Sequence, residues 1–170
     1  ASASPSMDIQ VSSNFERLLF DACKRDAATV RRLMASLKQS GRFVLPDAML
    51  AAIREEFDAG RADETETAAA IRAAWREAGD LVDPHTAVAL AVSDRDTSDS
   101  KIPNIVLSTA HAAKFPDAVE AACGVRPQLP AWLDGLMTKP EQVKVMKNDS
   151  AEVERFVLSV SHAAKQGVAG

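Results

Sequence analysis

The chain has 170 residues, 46% hydrophobic and 26% charged, with a formal net charge of -4 at pH 7. That balance suits one globular domain or a loose pair, and without a basic stripe nucleic acid is not an expected partner. No apolar run approaches the ~20 residues that span a bilayer, and the opening ASASPSMDIQ lacks the charged and apolar regions of a secretory leader, so no membrane partner is expected.

Residues 1–6 read as an extended lead-in. The chain opens at Ala1 and its first Met is Met7, so translation is expected to begin upstream. Residues 8–11 alternate, with Ile9 and Val11 apolar, as a short strand or loop. Asn14 is expected to cap a helix with Phe15, Leu18, Leu19 and Ala22 on one face. Asp26 caps the next, with Val30, Leu33, Met34 and Leu37 inward and Gly41 as its stop. Asp47 begins a third, with Leu50, Ile53 and Phe57 inward and Gly60 following. Asp63 and Glu66 have capping-box spacing. They open a long helix carrying Ala68, Ile71, Trp75 and Ala78 and ending at Gly79. Residues 25–79 thus hold three amphipathic helices, whose stripes core packing explains.

Leu81 and Val82 are a short extended approach to Asp83–Pro84, an N-cap and first-turn pair. The helix that follows carries Val88, Ala91 and Val92. Residues 93–100 are a polar loop. Asn104 to Leu107 is the one firm strand, ending at Ser108 and Thr109. Phe115 and Pro116 lead into a short helix with Ala118, Val119 and Ala122, stopped by Gly124. Residues 126–140 are punctuated by proline, with Trp132, Leu133 and Leu136 as burial anchors. Val143 and Val145 suggest an edge strand. Asp149 and Glu152 again have capping-box spacing, before a helix with Val153, Phe156, Val157 and Val160 on one face. The fold class is therefore α/β but predominantly helical, with a helical subdomain and one firm strand. A lone strand cannot satisfy its own backbone: partners come from the weak strands near Ile9, Leu81 and Val143, or the rest of the sheet is not in this chain.

Candidate chemistry is sparse. Cys23 and Cys123, far apart in apolar helical settings, read as reduced thiols of a cytoplasmic protein. His85, His111 and His162 are the only histidines, and none has metal-ligand spacing, so no metal is assigned. No phosphate-cradling glycine loop or nucleophile elbow is present. Glu55, Glu56, Glu64 and Glu66 read as exposed or capping acids. What remains is the strand end at Ser108 and Thr109, where open α/β proteins place ligands. A hydroxyl there can face a neutral ring nitrogen, or simply cap the next helix. His111, and His85 with Thr86, read equally as structural side chains. The first-turn amides near His85 also offer an anion site.

Three strings carry a resemblance: SPSMDIQVSSNFERLLF at 4–20, LVDPHTAVAL at 81–90 and VLSTAHAAKFPDAV at 106–119. In this order along nearly the whole chain, they resemble the C-terminal part of bacterial threonine synthase. The resemblance implies part of a fold-type II pyridoxal-phosphate enzyme that converts O-phosphohomoserine and water to L-threonine and phosphate. In that family the Schiff-base lysine and most of the cofactor-phosphate loop lie in an N-terminal part, and their motifs are not found here. No catalytic residue is therefore assigned. The chain alone is expected to be inactive, to bind no pyridoxal phosphate by itself, and to meet its substrate through that N-terminal part.

The resemblance implies that a late-strand hydroxyl faces the pyridine nitrogen: Thr109, with Ser108 as the fallback. His111 and Lys114 from the same string, His85 and Thr86 from the second, and Ser12, Ser13 and Asn14 from the first are candidate pocket-lining residues. The sequence departs from the family at Ala112, where Pro is common, and Ala89, where Gly is common; the first is expected to loosen the helix entry after His111. The implied layout is a connecting segment from the cofactor domain at 1–24, a helical subdomain at 25–80, and a strand–helix portion closing the cofactor site at 81–170. Two other readings stay open. One is a threonine-synthase-like phospho-lyase that stops at an elimination product such as 2-oxobutyrate. The other is a non-catalytic helical binding or regulatory module.

Overall fold

The computed structural model describes residues 2–9, 12–95 and 101–161. Seven α-helices occur among them: α1 (Ser13–Ala22), α2 (Ala27–Ser40), α3 (Asp47–Arg54), α4 (Glu64–Ala78), α5 (Pro84–Ser93), α6 (Pro116–Cys123) and α7 (Ser150–Val160). The chain divides into two compact units, Ala1–Leu129 and Pro130–Gly170.

Local chemistry sets most helix ends. The Asp26 side chain accepts the Ala28 amide at 3.0 Å to open α2, and Gly41 closes it in the left-handed conformation (φ 70°). Asp63 and Glu66 complete a reciprocal capping box on α4, each side chain taking the other's amide at 2.9 and 2.8 Å. Gly79 and Gly124 end α4 and α6 with φ 67° and 77°. The expected cap at Asn14 is corrected to Ser12, whose Oγ accepts the Phe15 amide at 3.4 Å. Both Ser12 and Asn14 are capping types, and the helix takes the earlier.

The first unit has two apolar centres. Leu19, Leu33 and Met49 bring α1, α2 and α3 together, with Ala22, Phe43, Leu45 and Ile53 around them. Ile71, Val82, Ala87, Ala112, Val119 and Ala122 form the other, from α4, α5, α6 and the turns between. The long helix α4 thus shares its core with α5 and α6. The 55–63 connection approaches α5 so closely that a Cβ on Gly60 would meet Val92 Cγ1 at 2.6 Å. Arg95 fastens the same connection by donating to the Arg61 carbonyl at 3.0 Å and pairing with Glu66 at 3.1 Å.

Several expectations are corrected. No strand forms among the described residues. The expected strand at 104–107 is extended backbone with no ladder, and its apolar side chains are bare: Ile105 is 80% and Leu107 73% exposed. The reason is the backbone rule itself, since a strand needs a neighbour to take its amides and carbonyls. The weak segments do not supply one. Residues 8–9 and 143–145 are unpaired, and Val82 makes only an isolated antiparallel bridge to His111. Phe57 is exposed rather than inward, because α3 ends at Arg54 before reaching it. Trp132 and Leu136 are exposed, so they do not anchor 126–140 by burial. Val11, the end of the 93–100 loop and His162 lie outside the described residues.

The second unit is built from two short 3-10 turns, Ala131–Leu133 and Leu136–Thr138, and α7. No described residue in it is buried. Asp149 caps α7 through the amides of Ala151 (2.9 Å) and Glu152 (3.3 Å), and Lys144 lies 4.3 Å above the Phe156 ring.

Candidate functional site

The DPHT turn that opens α5 is the most deeply buried polar cluster described. Asp83 is 0% exposed, and His85 and Thr86 are buried beside it. Proline at the first helical position and an acidic N-cap fix the turn. The spacing then brings the second and third helical side chains back over the cap. Asp83 Oδ1 accepts the His85 amide at 2.9 Å and the His85 ring Nδ1–H at 2.8 Å. Asp83 Oδ2 accepts the Thr86 amide at 3.3 Å and the Thr86 hydroxyl. Burial pushes this carboxyl up, but the Thr86 hydroxyl, the His85 ring and the two amides together outweigh it and hold Asp83 below its ordinary range. The expected anion site at these amides is thus corrected: the anion is Asp83's own carboxylate.

His85 is locked as one tautomer. The Ser6 amide donates to Nε2 at 3.1 Å, so that nitrogen keeps its lone pair and the proton sits on Nδ1, facing Asp83. The ring is a neutral, fully bonded imidazole that packs on Phe115 with centroids 4.7 Å apart. Lys114 lies 5.9 Å from the Phe115 ring centre.

Thr86 extends the cluster to the 103–111 segment. Its hydroxyl oxygen accepts the Thr109 amide at 3.3 Å. Two residues on, His111 bridges to Val82, and its Nδ1 accepts the Ala113 amide at 3.1 Å to cap the 3-10 turn Ala112–Lys114. Ala112, where the family commonly has proline, is 3% exposed, so its methyl is packed. Ser108 and Thr109 are exposed residues. Ser108 borders a groove of about 360 Å³ with Ala74, Val82, Thr86, Leu90 and Val106.

Of the sequence-predicted site residues, the structure gathers Ser108, Thr109, His111, Thr86, His85 and, through Phe115, Lys114. Ser12 is spent as a helix cap, and Ser13 lines a separate groove with Glu16, Arg17 and Phe20. Asn14 is exposed on α1. Sequence reasoning missed Asp83 as more than a cap, and it missed Ser6 and Phe115. The available signal was the D-P-H-T order, which puts a ring N–H and a hydroxyl two and three residues after a cap carboxylate. Two exposed residues bearing hydroxyls on a pinned backbone fit a neutral heteroaromatic nitrogen, to whose lone pair a hydroxyl can donate. Among the described residues no cluster suited to a metal is present, and no helix is long and apolar enough to cross a membrane.

Residues 86–157 match the family described as "Threonine synthase, C-terminal". The chain is 41% identical to a threonine synthase of Pseudomonas aeruginosa over 96% of its length, covering 35% of that protein. It is 37% identical over 72% of its length to the human protein "Threonine synthase-like 1", covering 16% of it. Among solved structures, the PLP-bound threonine synthase from Brucella melitensis superposes with a TM-score of 0.79 at 54% identity, over 92% of this chain and 34% of that one. The chain spans about a third of the length of the threonine synthases it matches.

Proposed function

Because this chain corresponds in sequence and fold to the C-terminal part of threonine synthase, we propose that it is that part of an enzyme making L-threonine and phosphate from O-phosphohomoserine and water. The observation that carries this reading is the likeness to a pyridoxal-phosphate-bound threonine synthase at 54% identity. Bound pyridoxal phosphate supplies the electron sink for such a reaction. The residues of this chain supply position. Thr109 presents a hydroxyl to the ring nitrogen, with Ser108 as the alternative on the same exposed edge. A hydroxyl, unlike a carboxylate, does not hold that nitrogen protonated. His111 and Lys114 border the site, whereas His85 and Thr86 act from behind it, as the buried support of the edge.

The layout we propose has residues 1–24 as the link to a cofactor-binding part, 25–80 as a helical subdomain, and 81–170 as the portion that closes the site. Helix α4 joins the last two, since its core is shared with α5 and α6. The compartment is the cytoplasm. The chain alone carries no cofactor-binding lysine motif, so it releases no phosphate from O-phosphohomoserine in the presence of pyridoxal phosphate. Phosphate release above the cofactor-only background by this chain alone would overturn that assignment. A second reading is a threonine-synthase-like phospho-lyase that stops at an elimination product such as 2-oxobutyrate. Product analysis on the full-length protein carrying this chain separates threonine from the keto acid.

A further inference from the structure

We infer that Asp83 and Thr86 are positioning residues for Thr109. The Asp83 carboxylate orients the Thr86 hydroxyl so that its oxygen receives the Thr109 amide, and this fixes where the Thr109 side chain stands. The inference rests on reading Thr109 as the hydroxyl that faces the cofactor ring.

The polarity of the relay is forced by proton count. Thr86 Oγ1 has one proton and gives it to Asp83 Oδ2; its lone pair then receives the Thr109 N–H. An ionised carboxylate has no proton to offer and an amide N–H has no lone pair to accept with, so the hydroxyl can be oriented only one way. Asp83 and Thr86 are 0% and 3% exposed, so water cannot readily replace either link. The segment is pinned a second time at His111, which bridges to Val82, the residue before Asp83. The other carboxylate oxygen anchors His85, and through it the Ser6 amide and the Phe115 ring. One buried carboxylate thus holds both the 109–111 edge and the turn before α6.

Asp83→Asn keeps a capping oxygen but offers one oxygen and two N–H groups to four converging donors, so one side of the cluster must break. Thr86→Val keeps the side-chain shape and deletes the relay, and Thr86→Ser restores the hydroxyl. The experiment uses the full-length protein carrying this chain, loaded with pyridoxal phosphate. It reads amide exchange at Thr109, the cofactor absorption band and the melting temperature. Thr86→Val and Asp83→Asn are expected to speed Thr109 exchange about fivefold, the loss of one net hydrogen bond, and to shift the band, with Thr86→Ser as wild type in both. Because Asp83→Asn can disturb folding, Thr86→Val at a matched melting temperature is the deciding variant. Unchanged Thr109 exchange in Thr86→Val overturns the relay. Faster exchange in Thr86→Val, with a band that ignores Thr109→Val, leaves the relay standing and overturns instead the placement of Thr109 at the ring.

Discussion

Helices α5 and α7 begin in the same way, and what surrounds them differs. Each opens on an aspartate whose carboxylate takes two first-turn amides. At Asp83 the cap is fully buried, and a ring nitrogen and a hydroxyl join the amides. At Asp149 the cap stands open to solvent, in a unit where no described residue is buried. Capping is a local property of sequence, whereas turning a cap into a rigid polar hub requires distant residues to cover it. Rigidity is what a placed hydroxyl needs, so the candidate site belongs to the first region.

The sharpest way to break the contrast is to remove the hub. Asp83→Ala leaves four donors without an acceptor in a sealed site and should destabilise the protein by about 4 kcal/mol, read by urea denaturation. The pH dependence has a defined sign. Asp83 lies below its ordinary value of 3.8 when folded, so its contribution is complete above that value. It is lost as pH falls through the lower folded value. Asp83→Asn should therefore flatten the acid limb of the stability profile, and an unchanged limb would mean the carboxylate is not ionised in the fold.

Apolar burial gives the next effect. Ile71→Ala removes a side chain that is 2% exposed and should cost about 3 kcal/mol. Trp132→Ala, at 81% exposed in the second unit, should stay within about 0.5 kcal/mol. Equal costs would mean the tryptophan is covered in solution. Between these two lies Gly60→Ala. Its new methyl would press on Val92 at 2.6 Å and should cost about 1–2 kcal/mol. Combining it with Val92→Ala, which removes the opposing methyls, should recover part of that loss.

The caps were legible because they are short-range. Asp26, Asp63, Asp83 and Asp149, and the left-handed stops at Gly41, Gly79 and Gly124, depend on neighbours only two to five residues away. Three features were not legible. The 104–107 run has strand composition, but a strand exists only in a ladder, and that depends on partners that composition does not report. Trp132 and Phe57 look like core residues by type, yet helix length and turn direction decide whether anything covers them. The hub escaped because its members are far apart in sequence: Ser6 reaches His85 across 79 residues and Thr109 reaches Thr86 across 23. Within the string DPHT, the cap is visible and its burial is not.

Comparing the two caps is the most discriminating test, because it isolates capping from burial. Asp149→Ala should cost about 1 kcal/mol of local helix stability, seen as faster amide exchange in the first turn of α7. Asp149→Asn should cost only a few tenths, since Asn caps nearly as well as Asp and just two amides need an acceptor there. The same pair of substitutions at Asp83 should not show that recovery, because an amide oxygen cannot serve four donors. If Asn rescues both positions equally, Asp83 is only a cap. If it rescues Asp149 alone, the difference between the two sites is the His85 ring and the Thr86 hydroxyl, the contacts that carry the fold's order out to Thr109.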